Sequence, residues 1–118
     1  MKTKLFFYAI LIFTIASCTS NSPVIGNEVI MSGMSFSPAT LTVSVGTTVT
    51  WVNNETTIHT VTSTTGLFDS GDMSKGKTFK YTFTQAGTYP YHCIHHSGMN
   101  GTIVVLAGTT MTINGTGY

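Results

Sequence analysis

A group of soft and borderline metal donors lies in the segment 89–99. The segment contains a thiol at Cys93, a thioether at Met99 and three imidazoles, among them that of His96. A thiolate, an imidazole and a thioether are the donors that suit copper as it cycles between its two oxidation states. A further strong donor is needed, and the histidine outside this segment is His59. These residue types therefore predict a mononuclear copper site for electron transfer.

The spacing of these donors places three of them on one short loop. His96 follows Cys93 by three residues, and Met99 follows His96 by three more. His59 lies 34 positions before Cys93, which leaves room for a loop and a hairpin, so a neighbouring strand must bring it to the site. His92 precedes Cys93 in a predicted strand, where successive side chains point to opposite faces. We therefore expect His92 to lie at the surface or behind the ligands.

The elements that must position these donors are predicted to be β-strands. Alternation of apolar and polar residues, together with shorter apolar runs, predicts strands at 29–31, 34–36, 40–44, 47–53, 59–63, 77–83, 88–92 and 101–106. No segment shows a convincing helical period. Seven or eight short strands separated by turn residues predict an all-β fold, a Greek-key sandwich or barrel.

Several details of the core follow from the same alternation. Leu41, Val43 and Val45 are expected on the inward face of one strand. The chain is expected to continue from the first predicted strand into the second after a kink at Gly33. Phe68 lies in a polar, glycine-containing loop, where we expect it to plug the core.

The N-terminal residues have the pattern of an export signal. Lys2 and Lys4 precede an apolar run that is too short to span a bilayer, and small residues follow it up to Cys18. This pattern predicts a lipoprotein-type signal peptide at 1–17, with Cys18 lipidated at the start of a tether at 18–23. An ordinary cleaved signal or an uncleaved anchor is the alternative. In each case we expect an exported protein, periplasmic or at the cell surface.

Charge and cysteine content limit the function classes. Without its two N-terminal lysines the chain is close to neutral and contains no Arg. Its charged residues are then Lys75, Lys77, Lys80, Glu28, Glu55, Asp69 and Asp72. No basic face for nucleic acid is present in the sequence, and a protein partner would dock through an apolar or weakly polar patch. If Cys18 is lipidated, Cys93 has no disulfide partner, and a bound metal would occupy its thiol. The copper-binding domain is predicted at 24–106, and the tail at 107–118 has no assigned structure.

Three strand motifs accompany the donors. They are Gly46-Thr47-Thr48-Val49-Thr50-Trp51, Gly87-Thr88-Tyr89-Pro90-Tyr91-His92-Cys93 and Gly101-Thr102-Ile103-Val104-Val105. With His59 and the run Cys93-x-x-His96-x-x-Met99, they resemble the cupredoxins, most closely the amicyanin- and plastocyanin-like members. The resemblance covers 29–105, nearly all of the predicted domain.

The resemblance implies a role for each donor. His59, Cys93 and His96 would be strong equatorial ligands of one type 1 copper ion, and Met99 a weak axial ligand. The ring edge of His96 would reach the surface and pass electrons to redox proteins docked there. Thr60 is a departure, because many relatives have Asn after the first ligand to tie the two ligand loops together. We expect the Thr60 hydroxyl to form a weaker tie, with an effect on the redox potential.

Other interpretations compete with electron transfer. An immunoglobulin-like module lacks its inter-sheet disulfide, since no Cys lies between Thr19 and His92. A Cys–His hydrolase lacks a glycine-framed nucleophile turn and a third orienting residue, so we do not expect an enzyme. A copper storage or delivery protein could use the same four donors and stays open. His95 could replace His96 as a ligand, but the spacing favours His96 and leaves His95 facing solvent.

Overall fold

The computed structural model describes residues 26–108, which form eight β-strands. The strands are β1 (Glu28–Ser32), β2 (Ser35–Ser37), β3 (Thr40–Ser44), β4 (Thr48–Asn53), β5 (Thr62–Ser63), β6 (Thr78–Thr82), β7 (Gly87–His92) and β8 (Asn100–Leu106). Within this range there is no helix, and so none that could cross a membrane. The predicted signal peptide, the tether, the predicted domain start at residue 24 and the tail from residue 109 lie outside the described residues.

The strands form two four-stranded sheets. The first has the order β2-β1-β4-β6, in which β1 and β4 are parallel. The second has the order β3-β8-β7-β5, in which β3 and β8 are parallel. Strands β7 and β8 are antiparallel, with Tyr91 opposite Gly101 and His92 opposite Asn100. This two-sheet arrangement confirms the predicted all-β sandwich.

The core is centred on Trp51, which is fully buried in β4. Its ring centroid lies 5.5 Å from that of Tyr91 in an edge-on arrangement and 5.8 Å from that of Phe68. Phe68 comes from the loop between β5 and β6 and is buried, which confirms its predicted position. Aromatic pairs in such geometries stabilise a core beyond the apolar area that they bury. The cluster supports the end of β7, where Cys93 follows.

The segment after β1 turns back as a hairpin, so the predicted continuation through a kink at Gly33 is wrong. Strand β2 pairs antiparallel with β1, and Ser32 lies opposite Ser35. The residues between them, Gly33 and Met34, have φ values of 59° and 60°, as a type I′ turn requires. Both turn amides donate hydrogen bonds to the Glu55 carboxylate, at 3.0 and 3.2 Å. These bonds stabilise a left-handed backbone that Met34 alone would disfavour.

The predicted strand at 59–63 is shortened to β5. The backbone N–H of Val61 donates to Ser70 Oγ at 2.7 Å, in place of a neighbouring strand. His59 forms an isolated bridge with Met73, outside both sheets. The strand prediction therefore fails where backbone groups bond to side chains and to a loop.

Val45 does not share the inward face of β3. Leu41 and Val43 are buried as predicted, whereas Val45 is 39% exposed. The strand ends at Ser44, and the chain turns at Gly46 with φ of 89°. The alternation of faces holds only inside a strand, so it does not extend across this turn.

Candidate metal centre

Three of the predicted donors converge. His59, Cys93 and His96 place their donor atoms within 4.8 Å of one another, the one such group in residues 26–108. Cys93 Sγ lies 3.3 Å from His96 Nδ1 and 3.8 Å from His59 Nδ1, and the two Nδ1 atoms are 3.2 Å apart. Lone pairs this close repel one another unless a proton or a cation lies among them. A thiol and two imidazoles so arranged have the chemistry to bind a soft or borderline metal ion.

The loop between β7 and β8 carries Cys93, His96 and Met99. The Cys93 N–H donates to the Met99 carbonyl at 3.0 Å, and the Met99 N–H donates to the His96 carbonyl at 3.3 Å. These bonds close the loop on itself. The Cys93 and Met99 side chains are buried, whereas His96 is half-buried. The thiol is therefore shielded from water, while one imidazole is accessible from the surface.

His59 reaches the same point from the segment between β4 and β5, and it is fully buried. Its N–H and C=O pair with the backbone of Met73 at 3.2 and 2.8 Å. Its Nε2 lies 2.5 Å from Glu55 Oε1. Because an ionised carboxylate only accepts hydrogen bonds, this contact assigns the imidazole proton to Nε2. Nδ1, the nitrogen nearest to Cys93, then keeps its lone pair free for a metal.

Glu55 is a site residue that the sequence analysis missed. Besides its contact with His59, it accepts the two hydrogen bonds from the β1–β2 turn, and its own N–H donates to the buried Asn53 Oδ1 at 3.0 Å. The hydrogen bond from His59, more than those from the turn amides, holds the pKa of the Glu55 carboxyl below its usual value, against the opposing effect of burial. The sequence feature that could have indicated its role is its place four positions before His59, in a chain with few charged residues.

Thr60 ties the two ligand segments together. Its hydroxyl accepts a hydrogen bond from the Ile94 N–H at 3.0 Å. Its backbone N–H donates to Cys93 Sγ at 3.4 Å, and Thr60 is fully buried. The hydroxyl therefore makes the connection for which many relatives use Asn. The N–H directed at the sulfur is a second connection between the two ligand segments.

The two remaining histidines lie outside the donor cluster. His92 is half-buried, and its Nδ1 lies 3.5 Å from Thr64 Oγ1, at the limit of a hydrogen bond. His95 is exposed, as expected from its spacing, and its Nε2 lies 2.6 Å from Asp72 Oδ1. Neither joins the group of three converging donors.

The family model described as a cupredoxin-like domain matches residues 5–105. The chain therefore belongs to the cupredoxin-like family, as the sequence motifs predicted.

Individual proteins similar to this chain are amicyanins and plastocyanins. The chain is 36% identical over 102 residues to amicyanin from Paracoccus denitrificans, covering 76% of this chain and 78% of that protein. It is 35% identical over 83 residues to plastocyanin from Scenedesmus fuscus, covering 59% and 85%. A solved Cu(I) form of an amicyanin variant is 38% identical, with a TM-score of 0.64 over 67% of this chain and 80% of that one. Family and donor set agree with the predicted copper cofactor.

Proposed function

We propose that the protein is a type 1 copper protein that carries single electrons between redox partners. The observation that supports this most strongly is the convergence of His59 Nδ1, Cys93 Sγ and His96 Nδ1. These atoms are the strong equatorial ligands of the proposal, and the buried Met99 supplies a weak axial thioether from the same loop. When bound, copper supplies a one-electron couple between Cu(I) and Cu(II). Membership of this family also agrees with an electron carrier that is not an enzyme.

The surroundings of the donors favour electron transfer over copper storage or delivery. His59 is held by Met73 and Glu55, and Cys93 by Thr60, so two donors are buried and fixed by hydrogen bonds. A donor set that cannot rearrange suits a metal that changes charge in place. A delivery protein needs exposed, exchangeable donors, and the alternative predicted from the sequence has no such support in the described residues.

The partner surface is proposed to surround His96. This is the half-buried member of the donor group, and the neighbouring Ile94 is 57% exposed. An exposed apolar side chain beside His96 agrees with the near-neutral charge of the chain without its two N-terminal lysines, which gives little electrostatic steering.

Export and anchoring are further parts of the proposal. They are supported by the short apolar run and the small residues before Cys18. Mass spectrometry of the protein from its native membrane distinguishes the outcomes. A lipid-modified N-terminal Cys18 is expected, and an unmodified N-terminus at another residue would contradict the anchor while leaving export intact.

The copper proposal is tested with the visible spectrum of the purified protein after addition of Cu(II). An intense blue thiolate-to-copper band is expected, and it should bleach on reduction. Cys93→Ala should abolish the band, whereas His92→Ala, the matched removal of a neighbouring histidine, should retain it. A colourless wild-type protein, or colour retained by Cys93→Ala, would contradict the proposal.

Voltammetry then separates a carrier from a delivery protein. A reversible one-electron wave without loss of copper is expected. Met99→Leu should remain blue and change the reduction potential, because the axial donor tunes the copper couple. Release of copper on each reduction would instead favour delivery.

A further inference from the structure

The exposed His95 side chain joins the donor loop to another part of the fold. Its Nε2 lies 2.6 Å from Asp72 Oδ1, in the loop between β5 and β6. The exposed fractions of the two side chains are 40% and 63%. An exposed pair of this kind adds little to global stability. Its effect on the position of a short loop can still be decisive, if that loop has few other contacts.

The residues 94–98 have few such contacts. Apart from His96, whose ring lies among the donors, the only other side chain of this segment with a hydrogen bond is His95. The backbone of the segment is fixed near its start by the Ile94 N–H and beyond its end by the Met99 N–H. Between these two points, and apart from the contact of His96 with His59 among the donors, the Asp72–His95 contact is the one side-chain hydrogen bond to another part of the described structure.

The other end of the contact is firmly placed. Asp72 directly precedes Met73, which is buried and pairs through its backbone with His59. The Met73 carbonyl also accepts a hydrogen bond from the buried Asn53 side chain at 2.8 Å. One two-residue segment, Asp72–Met73, therefore holds His59 through its backbone and the donor loop through a side chain.

We propose that the Asp72–His95 pair is a positioning tether that fixes His96 relative to His59. This inference rests on the proposed function, because only the proposed function makes His59 and His96 copper ligands. With the tether in place, the positions of both imidazoles depend on the segment Asp72–Met73: His59 is bonded to Met73, and the loop that carries His96 is bonded to Asp72. Without it, the loop keeps its two backbone anchors, but the position of His96 between them becomes less restricted.

A double-mutant cycle tests this tether in the full-length protein. The variants are Asp72→Ala, His95→Ala and both together, with Glu28→Ala as the matched removal of an exposed carboxylate from β1. The first readout is amide hydrogen exchange of the metal-free protein at Ile94 and Met99, with Thr102 in β8 as the internal reference. Both single variants should speed exchange at the two loop amides by about two- to fivefold, the range expected for losing an exposed pair. The double variant should add nothing further, and Thr102 should be unaffected.

The second readout is the reduction potential of the copper-loaded variants. A tether predicts that His95→Ala shifts the potential when Asp72 is present and has no effect in the Asp72→Ala background, a comparison in which the lost charge of Asp72 cancels. A purely electrostatic role of Asp72 predicts a shift for Asp72→Ala that His95→Ala does not share. That result, additive effects in the double variant, or unchanged exchange at Ile94 and Met99 would each overturn the proposal. Exchange is measured without metal, so a protein that binds no copper would refute the proposed function and still give a result for the tether.

Discussion

The Nε2 atom of His59 lies 2.5 Å from Glu55 Oε1, while Nδ1 of the same ring lies 3.8 Å from Cys93 Sγ. One ring nitrogen of His59 is thus held by a carboxylate, and the other ring nitrogen points towards the thiol. The same carboxylate is bound by the amides of Gly33 and Met34. The orientation of one proposed ligand therefore depends on a hairpin turn that lies more than twenty positions earlier in the chain.

Glu55→Ala should weaken copper binding without unfolding the protein. The substitution removes the acceptor that orients the His59 ring and selects its tautomer, and losing such a partner costs about 10- to 100-fold in metal affinity. Glu55→Gln keeps an acceptor oxygen, so its copper affinity should lie between those of the wild type and Glu55→Ala. The measurement is a competition titration against a chelator of known copper affinity, with Glu28→Ala as the control. Wild-type affinity in Glu55→Ala would show that Met73 and the core hold His59 without help.

Thr60→Val should destabilise the protein through the loss of one hydrogen bond to the Ile94 amide. The substitution keeps the shape of the side chain but removes the oxygen that accepts from the Ile94 N–H, and losing a part-buried hydrogen bond costs about 0.5–1.5 kcal/mol. The backbone N–H of residue 60 can still reach Cys93 Sγ, so the two connections are separated. Urea unfolding of the metal-free protein measures the change. Thr60→Ser retains the hydroxyl and should stay closer to wild type, and equal losses for Val and Ser would contradict the hydrogen-bond explanation.

Tyr91 should make the folded protein less stable at high pH. Burial raises the pKa of its hydroxyl to about 12. In the unfolded chain the tyrosine ionises near pH 10. The folded state then binds the proton more tightly, so stability is intact below about pH 10 and is lost as the pH rises towards 12.

Tyr91→Phe isolates this effect. The Tyr91 hydroxyl is buried without a hydrogen-bond partner, so its removal should cost little at neutral pH. Between pH 9 and pH 11.5, however, the wild type should lose about 2 kcal/mol of unfolding free energy relative to Tyr91→Phe. Urea unfolding of both proteins across this range measures the difference, and the comparison cancels every pH effect that the two proteins share. Parallel pH profiles would mean that the hydroxyl reaches solvent in the folded state.

Gly101→Ala should be strongly destabilising because of a single neighbouring ring. A Cβ at this position would lie 2.2 Å from Cζ of Tyr91, which packs edge-on against Phe36 and Trp51. Overpacking of this kind costs about 1–3 kcal/mol, and more where the neighbour cannot move. Gly26→Ala meets no atom within 4 Å and serves as the control in thermal unfolding. Adding Tyr91→Phe should not rescue Gly101→Ala, because Cζ remains; a rescue would place the clash at the hydroxyl.

Local sequence patterns predicted the strands that have regular surroundings. Strands β3, β4 and β6 to β8 lie where alternation placed them, because one face of each strand packs on a continuous core. The pattern failed at Gly33, where a turn replaces a kink, and at 59–63, where backbone groups bond to Ser70 and Met73. Both failures involve hydrogen bonds to residues distant in sequence, which local periodicity does not report.

The export signal, the lipidation of Cys18 and the domain start at residue 24 remain predictions, since they concern residues outside 26–108. The assignment of ligand roles to His59, Cys93, His96 and Met99 also remains a prediction, although the first three have converging donor atoms.

The sequence alone determined which donors were present and how three of them share one loop, because donor chemistry and short spacing are local properties. It also determined the strand pattern and, through its motifs, the family. Only the tertiary structure decided that His59 would meet Cys93, that Glu55 would hold its far nitrogen and that Asp72 would reach His95. The first and the last of these contacts join residues 34 and 23 positions apart, so they depend on how the two sheets pack and where their loops return. The Glu55 contact spans only four positions, but it depends on how the segment between β4 and β5 folds back on Met73 and on the β1–β2 turn.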